Sequence, residues 1–280
     1  MNEEIQFITT REKPEFKIRL AKFPSKEEKY SHRNIIVIPG WLSAIDNFTP
    51  MAKALQKYSN VIIYEPRGFG KSITSHKKGY FSSEEYNDEL SKVIEHLGLK
   101  NKEFIILGSC SGGSQTFCHY LDGDGPKPRA LVIFSPQEFY NTPFFVPALG
   151  LIPTFIMIFV QKMIIVLYRF YLKVRRTGES ANVTWAADRL RKNDDWSLRR
   201  FVVEFIVKYD IRDRQKEIDV PIQMIVAKQD HFVDPEKSKK FIHLTDSEIV
   251  EIQTDMHRIY EGKEDEIAKK MNDFLTKLAY

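Results

Sequence analysis

Three observations predict an α/β fold: a mostly parallel sheet flanked by helices, with one helical insertion. Short β-branched runs alternate with Gly/Pro turns and helix-period segments through the first half of the 280 residues. The runs are too apolar to have a wet face, which suits a sheet covered on both sides. After Pro136 the alternation stops, and it returns only at Val220.

In chain order, "EIQFITT" and "EFKIRLAKF" read as an antiparallel hairpin. The runs "NIIVIPGW" (Asn34 to Trp41), "NVIIYEPRG" (Asn60 to Gly68), "EFIILGS" (Glu103 to Ser109) and "ALVIFSP" (Ala130 to Pro136) follow as covered strands. Between the second and third, Tyr86, Leu90, Val93, Ile94 and Leu97 share one helical face. Ser82 with Glu85 suggests a capping box and Gly98 a C-terminal stop. The strands resume as "VPIQMIVAKQD" (Val220 to Asp230) and "SEIVEIQTDMH" (Ser247 to His257). A last helix, with Ile267, Met271, Phe274, Leu275 and Leu278 in phase, closes the chain. Residues 1–138 and 218–280 are therefore expected to form the core, and 139–217 a helical cap inserted into it.

Composition narrows the class of partner. A formal charge of +4, from 42 basic and 38 acidic residues, with the basic ones scattered apart from "KVRR" at Lys173 to Arg176, is no nucleic-acid footprint. Two cysteines, Cys110 and Cys118, make no disulfide framework and no Cys/His metal spacing, so neither metal nor cofactor is expected. They suit a reducing compartment, and the charged N-terminus does not read as a signal peptide, so the expected location is cytoplasmic. The sequence carries no signal for oligomeric state.

Ala148 to Leu172 is long and apolar enough to suggest a membrane span. Lys162 near its middle would cost roughly 2.5 to 3.5 kcal/mol on an insertion scale. A single crossing would also put the strands on either side of it on opposite faces of the bilayer. A buried or cleft-lining cap helix is the favoured reading. An interfacial helix, with Lys173, Arg175 and Arg176 at the headgroups of a peripheral membrane contact, is the second.

In "LGSCSGG", the residues Ser109, Cys110, Ser111 and Ser114 compete as nucleophile. A nucleophile on a sharp strand-to-helix turn needs small residues two before and two after it. Only Cys110, between Gly108 and Gly112, has both, with an apolar strand before it and "SQTFCHYL" after it. A thiol at a helix N-terminus sits near a partial positive charge, and a neighbouring imidazolium lowers its pKa further, so that the thiolate can be populated near neutral pH. Cys118 has no such context and reads as core.

With these residues the chain resembles the α/β-hydrolase superfamily, in the form where cysteine replaces serine, as in dienelactone hydrolases. "IIVIPGW" looks like the family's oxyanion strand and loop, with Pro39-Gly40 where His-Gly is usual. "YEPRGFGKS" looks like its Asp-x-Arg-Gly-x-Gly-x-Ser turn, with Glu65 in the acidic place, and "FVDPEKSKKF" like the stretch after the acid. The resemblance implies the order nucleophile, acid, histidine at successive strand ends.

His257 alone among the seven histidines lies between the last strand and the last helix, and would serve as base. Asp230 ends the strand before it and would orient the imidazole, with Glu138 in reserve. Asp234 reads as a helix N-cap and Asp255 as a surface residue. By position alone, the main-chain N–H groups of Trp41 and Ser111 would form the oxyanion hole.

A Cys-His-Asp set implies acyl transfer through a thioester intermediate, most simply hydrolysis of a carboxylic ester, lactone or thioester. Peptide cleavage is disfavoured, because a thiolate leaves a tetrahedral adduct more readily than an unprotonated amine does. Phe144, Phe145, Phe155, Phe159, Phe170 and Tyr171 in the cap would either line a pocket for an apolar small-molecule acyl substrate or pack the cap onto the core. An acyltransferase with the same triad and a non-catalytic ligand-binding protein are the alternatives. Retention of all three triad residues argues against the second of these.

Overall fold

The computed structural model describes residues 3–153, 155, 156, 158–160, 162, 163, 166, 167, 170, 193–228, 230, 236, 244–254 and 256–280. Asp234, Asp255 and Tyr171, singled out above, lie outside them. The elements are β1 (Glu4–Arg11), β2 (Phe16–Phe23), β3 (Asn34–Ile38), α1 (Ile45–Leu55), β4 (Asn60–Glu65), α2 (Ser83–His96), β5 (Ile105–Ser109) and α3 (Ser111–Asp122). They continue with β6 (Ala130–Phe134), α4 (Asp195–Glu204), β7 (Ile222–Ala227), β8 (Glu248–Ile252) and α5 (Glu264–Lys277). The strands form one 8-stranded sheet in the order β1-β2-β4-β3-β5-β6-β7-β8. β1 and β2 pair antiparallel as the predicted hairpin, and β2 meets β4 antiparallel. From β4 to β8 every pairing is parallel.

Why the central strands lack a polar alternation is visible in their two faces. Ile35 and Val37 of β3 pack with α1 and α5, while Ile36 and Ile38 pack with α2 and α3. On β6, Ala130, Val132 and Phe134 face the first layer, and Leu131 and Ile133 the second. With both faces covered, each large side chain contributes roughly 1.5 to 3 kcal/mol of burial, and none has a reason to be polar. In the closing helix Ile267, Met271, Phe274 and Leu275 are buried as the periodicity predicts.

Ser82 is the N-cap of α2, but its side chain makes no capping hydrogen bond. Glu85 is drawn away from a capping box because its carboxylate meets Arg67 Nη1 at 2.9 Å and Arg11 Nη2 at 2.7 Å. Arg67, from the "EPRG" turn, is wholly buried and also bonds Glu89 at 2.7 Å. Removing one partner of such a pair costs about 3–5 kcal/mol, because the other charge is left buried. Glu65 in the same turn accepts from Ile45 N at 2.8 Å and Lys71 N at 2.9 Å, so it ties the end of β4 to the start of α1.

Between β6 and β7 the described residues form helical or irregular structure apart from an isolated bridge, Phe139–Asp210. α4 lies on the core, with Leu198 and Phe201 buried. Its Ser197 and Glu204 reach the loop after β4 through Thr74 and Gly79. The apolar segment before it differs from the favoured expectation. Phe144 is 95% exposed, Phe155 74%, Phe159 68% and Phe170 67%, so these rings neither pack on the core nor line a closed cleft. The physical reason is that α4, with Phe201 and the following Phe205, already covers the apolar surface that α2 and the sheet present there. Among the described residues no helix is long and apolar enough to cross a membrane.

Candidate active site

Five strand ends converge on one edge of the sheet. Trp41 follows β3, Cys110 follows β5, Ser135 follows β6, Asp230 follows β7 and His257 follows β8. In a parallel sheet the carboxyl ends of the strands all open to this edge, where side chains from distant parts of the sequence can meet.

The turn at Cys110 is as sharp as its glycines imply. Cys110 has φ +50° and ψ −116°, a conformation that costs an L residue about 1–3 kcal/mol and persists only when its neighbours enforce it. They do so at both flanks. A Cβ on Gly108 would stand 2.5 Å from Thr116 Oγ1 and 2.6 Å from the Gly113 Cα. One on Gly112 would stand 2.7 Å from Pro39 O, and closer still to Ile38 O. Cys110 N donates to Phe134 O at 2.8 Å and Gly113 N to Cys110 O at 2.9 Å, which pins the turn to β6 and starts α3.

Asp230 and His257 meet as expected, with His257 Nδ1 and Asp230 Oδ2 2.8 Å apart. The Asp230 side chain is 2% exposed. Ile259 and Tyr260, buried in the core, anchor the loop that carries the histidine. The Cys110 thiol is within hydrogen-bonding reach of the same imidazole. Burial pushes the imidazole down, but the facing Cys110 charge and the bonds to Asp230 and Cys110 outweigh it and raise His257 from 6.5 to about 10. Such a shift favours an imidazolium beside the buried Asp230 carboxylate.

The other candidates are placed elsewhere. Glu138, the reserve acid, accepts from Gln215 Nε2 at 2.6 Å. Ser114 Oγ and the hydroxyl of the half-buried Tyr140 are 2.8 Å apart. Cys118 is buried in the core, and burial pushes its thiol up to about 12. His119 is wholly buried, and burial lowers its imidazole to about 4.

Trp41 and Ser111, the two residues expected to form an oxyanion hole, are adjacent, with an unforeseen contact. Trp41 N donates to Ser111 Oγ at 2.7 Å. The hydroxyl thus sits on one of the two N–H groups expected to face an oxyanion. Ser135 is a second residue that sequence reasoning missed. It has φ +50°, and its hydroxyl donates to Asp230 Oδ2 at 3.0 Å. A serine after an apolar strand carries no signal of that role. Among the described residues no group of three or more His, Cys, Asp or Glu side chains is arranged to hold a metal ion.

The fold has many counterparts of known structure. Bromoperoxidase from Bacillus anthracis superposes with a TM-score of 0.75 at 16% identity, covering 98% of this chain and 100% of that one. An esterase from Exiguobacterium antarcticum gives 0.73 at 15% identity, covering 97% and 99%. The enol-lactonase from Burkholderia xenovorans gives 0.71 at 18% identity, covering 92% and 97%. At these identities the likeness is one of fold. No curated protein sequence matches the chain. The family model described as serine aminopeptidase, S33, matches residues 30–262, and with the eight-stranded sheet it shows that the chain is an α/β-fold hydrolase belonging to the S33 family.

Proposed function

We propose that this hydrolase cleaves a carboxylic ester, lactone or thioester through an acyl-enzyme on Cys110, with His257 and Asp230 completing the triad and residues 139–217 acting as the cap. The observation that carries the reading is the convergence of a strained Cys110 with an imidazole whose Nδ1 bonds a buried Asp230 at 2.8 Å. The esterase and the enol-lactonase among the fold relatives are consistent with it by their names.

In this mechanism His257 Nε2 holds the proton that leaves the thiol, and the sulfur lone pair attacks the acyl carbon. The carbonyl π electrons move to oxygen, which the N–H groups of Trp41 and Ser111 receive. Trp41 N must exchange Ser111 Oγ for the substrate oxygen, so the resting site is partly self-occupied. Collapse of the adduct expels the alkoxide or thiolate, which takes the proton from His257. Water then attacks the thioester as His257 removes its proton, and the Cys110 thiolate leaves with the acid as product. Asp230 keeps the imidazole in the tautomer and orientation both steps need.

The S33 family is named for a serine aminopeptidase, and this chain has Cys110 at the turn. Thiolate departs from a tetrahedral adduct ahead of an unprotonated amine, which favours esters over peptides here. The test is mass spectrometry of the chain after exposure to p-nitrophenyl esters and acyl thioesters, alongside amino-acid p-nitroanilides. An acyl mass on the Cys110 peptide, with ester turnover abolished by iodoacetamide, is expected. Anilide turnover with Cys110 unlabelled would overturn the reading.

A further inference from the structure

At every described position between residues 155 and 170 the chain is helical. At 3.6 residues per turn, Phe155, Phe159, Met163, Val166 and Phe170 fall on one stripe, and this is the stripe that is exposed. Phe144, 95% exposed, and Leu151, 81% exposed, precede it. Apolar helix stripes ordinarily face a core, and a contiguous exposed one marks a binding surface.

Charge decides between the possible occupants. From Phe139 to Gly178 the sequence contains no Asp or Glu, but it contains Lys162, Arg169, Lys173, Arg175 and Arg176. Lys162 is exposed within the apolar stripe, and its charge reaches Asp195 at the start of α4. A second copy docked on this face through a two-fold axis would set two copies of a sequence stretch of one charge sign against each other, with no Asp or Glu within either stretch to pair it. A surface with an apolar interior and anionic headgroups satisfies both the rings and the cations.

We propose that this exposed stripe docks the protein on an anionic lipid surface. The segment starts from the carboxyl edge of the sheet. Gly150 packs against Arg200 and Val203 of α4, and Arg199 of α4 donates to Ile152 O. Docking would therefore hold the edge that bears Cys110 close to the bilayer.

Sedimentation with vesicles of phosphatidylcholine, alone or mixed with phosphatidylglycerol, tests this directly. The wild-type chain should partition onto the mixed vesicles at least about 10-fold more strongly than onto the neutral ones, and lose that preference in high salt. The Phe155→Ser/Phe159→Ser variant should bind the mixed vesicles roughly 10-fold more weakly, given the apolar surface it no longer inserts. Both side chains are exposed, so its circular dichroism and thermal melt should match the wild type. Cys110→Ala should bind as the wild type does, which separates docking from the proposed chemistry. Equal partition of wild type and double variant, or equal partition onto neutral and mixed vesicles, would overturn the proposal. So would self-association that the double variant abolishes, because it assigns the face to a second copy.

Discussion

Replacing Cys110 by Ala should lower the titration midpoint of His257 by about two pH units, within the roughly 1–3 units that one opposite charge in contact imposes. In the wild-type site burial pushes the imidazole down, and the Cys110 charge, its hydrogen bond and Asp230 together raise it to about 10. Without the sulfur, Asp230 alone opposes burial. A drop of that size corresponds to about 3 kcal/mol of lost preference for the imidazolium. It also has a consequence for stability. Because the folded value lies above the ordinary 6.5, the stability contributed by the proton on His257 is complete below about pH 6.5 and is lost as pH rises through about 10. Between those limits the wild type should lose more stability with rising pH than Cys110→Ala does. Long-range 1H–15N correlation of the imidazole nitrogens gives the midpoint, and urea denaturation at neutral and alkaline pH gives the slope. An identical His257 midpoint in the two proteins would refute the coupling of Cys110 to the imidazole.

Asp230→Asn should reduce kcat/KM by roughly 10³–10⁴, because an amide favours the wrong imidazole tautomer, as steady-state ester hydrolysis would measure. Ser135→Ala removes one donor to the Asp230 carboxylate, leaving more of its charge to act on the imidazolium, and should cost about 10-fold in kcat/KM while raising the His257 midpoint; a change in rate with no change in midpoint would assign Ser135 a purely structural role. Gly112→Ala places a methyl group against the carbonyls of Ile38 and Pro39, which are backbone and cannot rotate away, so urea denaturation should show a loss of about 1–3 kcal/mol or more. Ser111→Ala frees the Trp41 N–H and should tighten binding of a trifluoromethyl ketone by up to about 5-fold, the worth of one hydrogen bond no longer exchanged; weaker binding would mean the hydroxyl itself supports the oxyanion loop.

Much of the fold was legible because its signals are local. The central strands β3, β5 and β6 announced themselves by unbroken apolar runs, since both of their faces are covered. The turn at Cys110 was legible for a related reason: the glycines on either side answer to backbone atoms within a few residues or on the adjacent strand. His257 and Asp230 could be placed by strand order once the turn was found, and the resemblance to α/β hydrolases provided that order. A capping box at Ser82 was equally well signalled and did not form, because buried Arg67 offers Glu85 a stronger partner than a helix N-terminus does.

What the sequence by itself determined was therefore the backbone: where strands and helices lie, where the chain must turn sharply, and which strand ends carry Cys110, Asp230 and His257. Only the tertiary structure decided how those side chains are used. Ser135 reaches Asp230 and Ser111 Oγ takes the Trp41 N–H because strands distant in sequence end side by side, a juxtaposition that leaves no periodic trace. Hydropathy likewise marked the segment around Phe155 as apolar but could not tell a buried stripe from an exposed one. That outcome depended on whether α4 had already covered the core, a competition between two segments for one surface.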